Sequence, residues 1–392
     1  MVALRPPNVT AAGPVRGPVL VDALRTRKLV VCLGTGGVGK TTTSALLALC
    51  AAYLGRRAVV LTIDPAKRLA DALGVGSLDS MPRQVPQDRL WEGSSGSLHA
   101  LMLDAGETFD RMVGKLVLDP EKRDRLLQHS VYQHLSRGLS GVHEYMALEK
   151  LHELVHDPRF DLVVLDTPPS KNALDFLEAP GRASSFFNEK IARFFVPKEG
   201  RQSLTDRLFN KAQDAALGLI GKVVGDQFLG DITDFMRNFQ GMFTAFEERG
   251  LFAEKFLRGP DVSYVVVTAP DPLRIEEALE FSNRLLAYKI TPSGFIVNRV
   301  RTASGAAVPT PQEVHDALAK AGVQDDRRHT LATRVARHLA DHAHLSLRDA
   351  NAIAGLQARA GKAELLLAPE MQESPQDPAA LKLVCQALLN IP

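Results

Sequence analysis

Short apolar runs alternate with helical stretches along most of this chain. Residues 28–33 (KLVVCL), 58–63 (AVVLTI), 98–103, 161–165 (DLVVL), 264–268, 294–298 and 364–367 read as strands. Several are Val- and Leu-rich without polar alternation, the mark of a strand buried on both faces. Helical patterns lie between them: 41–54, rich in Ala and Leu, about 105–128, 141–156, a helix after Pro272, and a last one over 377–389. Such alternation predicts an α/β fold, a doubly wound, mostly parallel sheet with helices on both faces. The alternation breaks once. Residues 181–257 hold no convincing strand and carry 12 of the 17 phenylalanines, so they read as a helical subdomain inserted into that fold. Apolar residues from Leu219 to Phe246 recur there at helical steps, and Phe186, Phe187, Phe194 and Phe195 make a shorter stripe. Two readings stay open: these faces pack on each other and on the sheet, or they form a groove for an apolar helix. Residues 1–18, rich in Pro and Gly, read as a flexible arm with no apolar core of a signal peptide, leaving 19–392 as the folded domain.

Composition narrows the picture. Over 392 residues, 45% hydrophobic and 23% charged side chains suffice for a large core and exclude disorder of the whole chain. Lys plus Arg number 47 against 45 Asp plus Glu, a net charge of +2 that argues against coating nucleic acid. The longest near-continuous apolar stretch, 45–54, is about half of what a bilayer requires. Cys32, Cys50 and Cys385 are odd in number and widely spaced. They read as three small core residues in a reducing compartment, without a disulfide, and the expected location is cytoplasmic. His338, His342 and His344 read as a solvated or packed helix face rather than a metal site. Glu144, Glu149, Lys150 and Glu153 read as an ordinary exposed helix face.

The chemistry concentrates in Gly34-Thr35-Gly36-Gly37-Val38-Gly39-Lys40-Thr41, which fits G-x-x-x-x-G-K-[ST] with a strand before it and a helix after it. Glycines let backbone N–H groups converge on phosphate oxygens, and the helix start adds its dipole. Lys40 reaches the β and γ phosphates in this reading, and the Thr41 hydroxyl ligates Mg²⁺. The same glycines satisfy G-x-G-x-x-G, the dinucleotide fingerprint, with Asp64 loosely where the ribose acid stands. That rival gives Lys40 and Thr41 no task. Asp166 ends an apolar strand where a Walker-B acid belongs, close to Mg²⁺; the alternative is a turn-capping Asp before Pro168. Asp64, at the carboxyl end of another strand, is placed to orient or deprotonate the water that attacks the γ-phosphate; the alternative is a turn-forming Asp before Pro65.

The phosphate loop with Thr42, then Thr62-Ile63-Asp64-Pro65-Ala66, then Asp166-Thr167-Pro168-Pro169, then Ile296-Val297-Asn298, in this order, resemble the ArsA-type ATPases. That group includes the arsenite-pump ATPase and the ATPase that delivers tail-anchored membrane proteins. The resemblance runs from about Lys28 to Leu389 and implies one half of a P-loop ATPase that works as a nucleotide-dependent dimer, with itself or with a paralogue. It implies ATP and Mg²⁺ as cofactors. Lys40 and Asp64 take the catalytic roles, Thr41 and Asp166 the metal, and the loop from Gly34 to Thr42 the phosphates. Asn298 contacts the adenine, and residues 367–377 form the loop over the base. A hydrophobic client helix or a membrane-protein partner follows from the same likeness. Two positions depart from the family. Thr35 replaces the lysine that reaches across the dimer, and by position Lys67 or Arg68, just past Asp64, could supply a cation instead. The cysteines match neither the metalloid cluster nor the C-x-x-C of the zinc-bridged members. The reading is therefore a cytoplasmic Mg-dependent ATPase acting as a dimeric switch coupled to transport or to targeting of an apolar client. The alternatives are a regulatory switch resembling MinD and ParA and a nucleotide-binding partner subunit of low turnover.

Overall fold

The computed structural model describes residues 18–64, 67–117, 119–129, 142–168, 230, 243–302, 307–371 and 378–389. In chain order the elements are α1 (Pro18–Thr26), β1 (Leu29–Leu33), α2 (Lys40–Tyr53), β2 (Arg57–Thr62), α3 (Arg68–Leu73), β3 (Arg83–Gln84) and β4 (Ser97–Met102). Next come α4 (Ala105–Leu116), α5 (Pro120–Gln128), α6 (Val142–His156), β5 (Leu162–Asp166), α7 (Phe243–Leu257), β6 (Val262–Thr268) and α8 (Pro272–Ala287). The chain continues through β7 (Gly294–Val300), α9 (Pro311–Lys320), α10 (Asp325–Arg359), β8 (Glu364–Pro369) and α11 (Pro378–Leu389).

The strands form one eight-stranded sheet in the order β3-β4-β2-β5-β1-β6-β7-β8. Every pairing is parallel except β3 with β4, an antiparallel edge. Successive side chains of a strand point to opposite faces, and β1 shows the result. Leu29, Val31 and Leu33 enter the core shared with α6, α7, α8 and α10. Val30 and Cys32 enter the core shared with α1, α2, α3 and α11. All five β1 residues are buried, which is why the run carries no polar alternation. The order reverses around β1, with β2 reached on one side and β6 on the other, so a crevice opens at its carboxyl end.

Several expectations need correction. The helix read over 105–128 is two, because Pro120 cannot continue one; Asp119 caps α5, accepting from the backbone N–H of Glu121 and Lys122. The arm read over 1–18 borders on α1, whose Leu20 and Leu24 are buried; residues 1–17 lie outside the described residues. Cys50 and Cys385 are joined by a disulfide, and Cys32 alone is a free thiol. Neighbours in the fold, 335 residues apart in sequence, carry no spacing signal. Lys150 is 1% exposed and bonds Glu153 at 3.1 Å, and Glu149 pairs with Arg249 of α7. Of the face read as solvated, Lys150 is thus buried and Glu149 is partly covered by α7, while Glu153 stays exposed. His338, His342 and His344 are exposed on α10, and no metal-binding cluster exists among the described residues. Of the insert read over 181–257, only Gly230 and 243–257, essentially α7, are described. No described helix is long and apolar enough to cross a membrane.

Candidate active site

The loop after β1 turns sharply on glycines. Gly39 has φ 90°, and a Cβ there would lie 2.1 Å from the Asn298 side-chain amide. At Gly34, with φ 153°, a Cβ would meet the Val267 carbonyl oxygen at 2.3 Å. No larger residue fits either place. No side chain caps the start of α2, so its first N–H groups are free of side-chain partners where an anion would bind. Lys40, the first residue of that helix, is 6% exposed and donates from Nζ to the Thr35 carbonyl at 3.0 Å. Burial pushes its ammonium below the ordinary lysine range, while Asp166 and Asp64 pull the other way.

Asp166, fully buried at the end of β5, accepts three hydroxyl hydrogen bonds. Thr41 Oγ1 donates at 2.8 Å and Thr62 Oγ1 at 2.9 Å to one carboxylate oxygen, and Ser44 Oγ donates at 3.3 Å to the other. Burial raises the Asp166 carboxyl above the usual carboxylate range; the hydroxyls and Lys40 lower it. Thr62 also accepts from the Asp64 backbone N–H at 3.2 Å, so one hydroxyl links both aspartates. Asp64 pairs with Arg68 at 3.1 Å. Thr167 Oγ1 donates to the Cys32 carbonyl at 2.7 Å, tying the turn after β5 to β1.

One cleft of about 310 Å³ gathers Gly37, Gly39, Lys40, Thr41, Thr42 and Asp64, together with Arg68, Thr167 and Arg299. Lys67 is absent from its wall. Asp166 stands behind Thr41. Gly34, Thr35 and Val38 are buried and Gly36 half-buried, forming the body of the loop. Asn298 lies on that loop and donates from its amide to the Val38 carbonyl at 3.0 Å. Thr35 meets a cation from an unexpected side: Arg274 Nη1, on α8, donates to its hydroxyl at 3.4 Å and pairs with Glu277 at 2.9 Å. Of residues 367–377, Leu367 lies exposed within β8, which ends at Pro369, and 372–377 lie outside the described residues. Sequence reasoning missed Ser44, Arg274 and Arg299. Only Ser44 left a readable trace, four residues after Lys40 and so on the same helix face.

The donor set suits a hard cation. A threonine hydroxyl and a carboxylate 2.8 Å apart are oxygen ligands of the kind Mg²⁺ takes beside phosphates. The cleft also brings Lys40 and Thr41 onto one wall, an arrangement for which the dinucleotide reading has no use.

Residues 27–310 match the family described as anion-transporting ATPase. Among curated relatives, ATPase GET3 of Ajellomyces dermatitidis is 25% identical over 295 residues, covering 72% of this chain and 76% of the relative. ATPase GET3A of Arabidopsis thaliana is 24% identical over 274 residues, 70% of this chain and 67% of the relative. A shorter match, 29% over 175 residues, joins 44% of this chain to 49% of ATPase GET3 of Malassezia globosa. With its loop, aspartates and sheet order in place and nearly three quarters of its length within the match, the chain belongs to the anion-transporting, ArsA-type ATPase family.

Proposed function

We propose that this chain is a Mg²⁺-dependent ATP switch whose dimer, with itself or with a paralogue, opens and closes around an apolar client helix or a membrane-protein partner. The observation that carries the reading is the hydroxyl link: Thr62 touches Asp166 and the Asp64 backbone at once. A change at the metal side of the cleft is thereby felt at the water side. Lys40 and the loop amides from Gly34 to Thr42 bind the phosphates. Thr41, with Asp166 behind it, holds Mg²⁺, which when bound neutralises charge on the phosphate oxygens. Asp64 orients the attacking water and accepts its proton. Asn298 fixes the loop by its bond to Val38 and borders the adenine. The client assignment rests on the family resemblance and on the Phe-rich stretch around 181–257. We place the work in the cytoplasm; the Cys50–Cys385 bond, 0 and 1% exposed, is closed to reductants there.

Asp64→Asn tests the reading. ATP turnover is expected to fall about a hundredfold or more while ATP binding by calorimetry persists. A purified wild type that binds ATP without turnover would instead make the chain a low-turnover partner subunit.

A further inference from the structure

Arg299 occupies a backbone conformation that side chains avoid, with φ 61°. The pairing of β7 with β8 shifts register between Val297 and Val300, so Asn298 and Arg299 stand outside the regular ladder. Asn298 uses this freedom twice, donating to Val38 and accepting from the Arg299 N–H at 3.0 Å. The Arg299 side chain is exposed on the wall of the cleft that holds Lys40 and Thr41. Neighbouring arginines are engaged: Arg68 with Asp64, Arg274 with Glu277, Arg301 with Asp349 and Glu370. The Arg299 guanidinium has no hydrogen bond or ion pair among the described residues.

Sheet order supplies a direction. Lys40 and Thr41 follow β1, Asp64 and Arg68 follow β2, and Thr167 follows β5, all on one side of the crevice or at its centre. Arg299 belongs to β7, two places to the other side of β1. A triphosphate whose terminal group lies toward Asp64 therefore extends its nucleoside toward Arg299. We propose that Arg299 is a nucleotide-contacting residue that lays its planar guanidinium on the base of the bound nucleotide, so that it sets affinity for the nucleoside half and not for the phosphate chain. A flat cation on an aromatic ring gains attraction from the ring quadrupole. The inference rests on the ATP reading of the cleft.

Calorimetry on the full chain with ATP, ADP and inorganic tripolyphosphate separates the possibilities, comparing wild type with Arg299→Gly. Glycine accepts the positive φ without strain, so the variant is expected to melt no lower than wild type. Arg299→Gly is expected to bind both ATP and ADP roughly tenfold more weakly, with tripolyphosphate unchanged. Unchanged ATP and ADP affinities would overturn the assignment and leave the ATP reading standing. Equal weakening of tripolyphosphate would overturn it too, moving the contact to the phosphates. A wild type that binds none of the three probes would defeat the ATP reading itself, and this assignment with it.

Discussion

At the scale of single residues, the site depends on hydroxyls as much as on charges. Asp166 is a carboxylate without solvent, and its oxygens are satisfied by Thr41, Thr62 and Ser44. Removing one such donor leaves a buried acceptor short, which costs about 1–3 kcal/mol. Thr62→Val keeps the shape and deletes both of that residue's bonds, to Asp166 and to the Asp64 N–H. The expected outcome is a stability loss of that size in urea titration, and a fall in kcat larger than the rise in KM, because Asp64 loses its backbone anchor. An unchanged kcat would show that the hydroxyl link carries no mechanical role. Lys40, Thr41, Asp64 and Asp166 stood out in the sequence as candidates because of their fixed neighbours, glycines before a lysine and an acid after an apolar run, and the structure brings them together at one cleft. Thr62 appeared only as part of a quoted motif, and Arg299 had no signal, because its importance lies in a backbone angle and in which cleft its strand borders.

At the scale of elements, seven of the eight strands were legible to within one or two residues, since a sheet covered on both faces writes itself as apolar runs; β3, two exposed residues at the edge, left no such run and was missed. The α4–α5 break at Pro120 was written in the sequence and overlooked. Helix α1 was missed because nine residues give little periodicity, and because its partners are remote. Its amino end is held by Glu364 of β8, which accepts from the Leu20 N–H at 3.2 Å. Arg56 serves the opposite end, donating to the carbonyls of Leu24, Arg25 and Arg27, and also to that of Asp161. Burial pushes the Glu364 carboxyl above its ordinary 4.5, with the Leu20 and Val19 N–H groups opposing. A carboxyl raised in the folded state favours folding at low pH, and that advantage is lost as pH rises through the raised value. Glu364→Gln removes the buried charge and keeps an acceptor for Leu20. Its melting temperature relative to wild type is expected to climb between pH 4 and pH 8; a pH-independent difference would count against a buried, titrating Glu364.

At the scale of the whole molecule, one sheet carries everything described, and its two apolar faces are closed by helices from distant parts of the chain. The disulfide between α2 and α11 closes a loop of 335 residues, the part of the fold least accessible to sequence reasoning. Denatured but unreduced protein is expected to expose one reactive thiol, Cys32; three would mean the bond does not form. In the folded chain that thiol is inert, since burial lifts it to about 12. Cys50→Ala with Cys385→Ala is expected to lower stability by about 2–5 kcal/mol and to spare ATP turnover, as neither residue lines the cleft. The same packing brings the first and last described helices together: Leu20, Leu24, Leu381 and Leu388 share one core against α2. Beside that core lies β8, at the sheet edge opposite β3. A tether fixed at exposed Val19 or at exposed Leu383 therefore grips the molecule by the same flank. Either anchor leaves the opposite face of the sheet, the one covered by α6, α7, α8 and α10, turned outward.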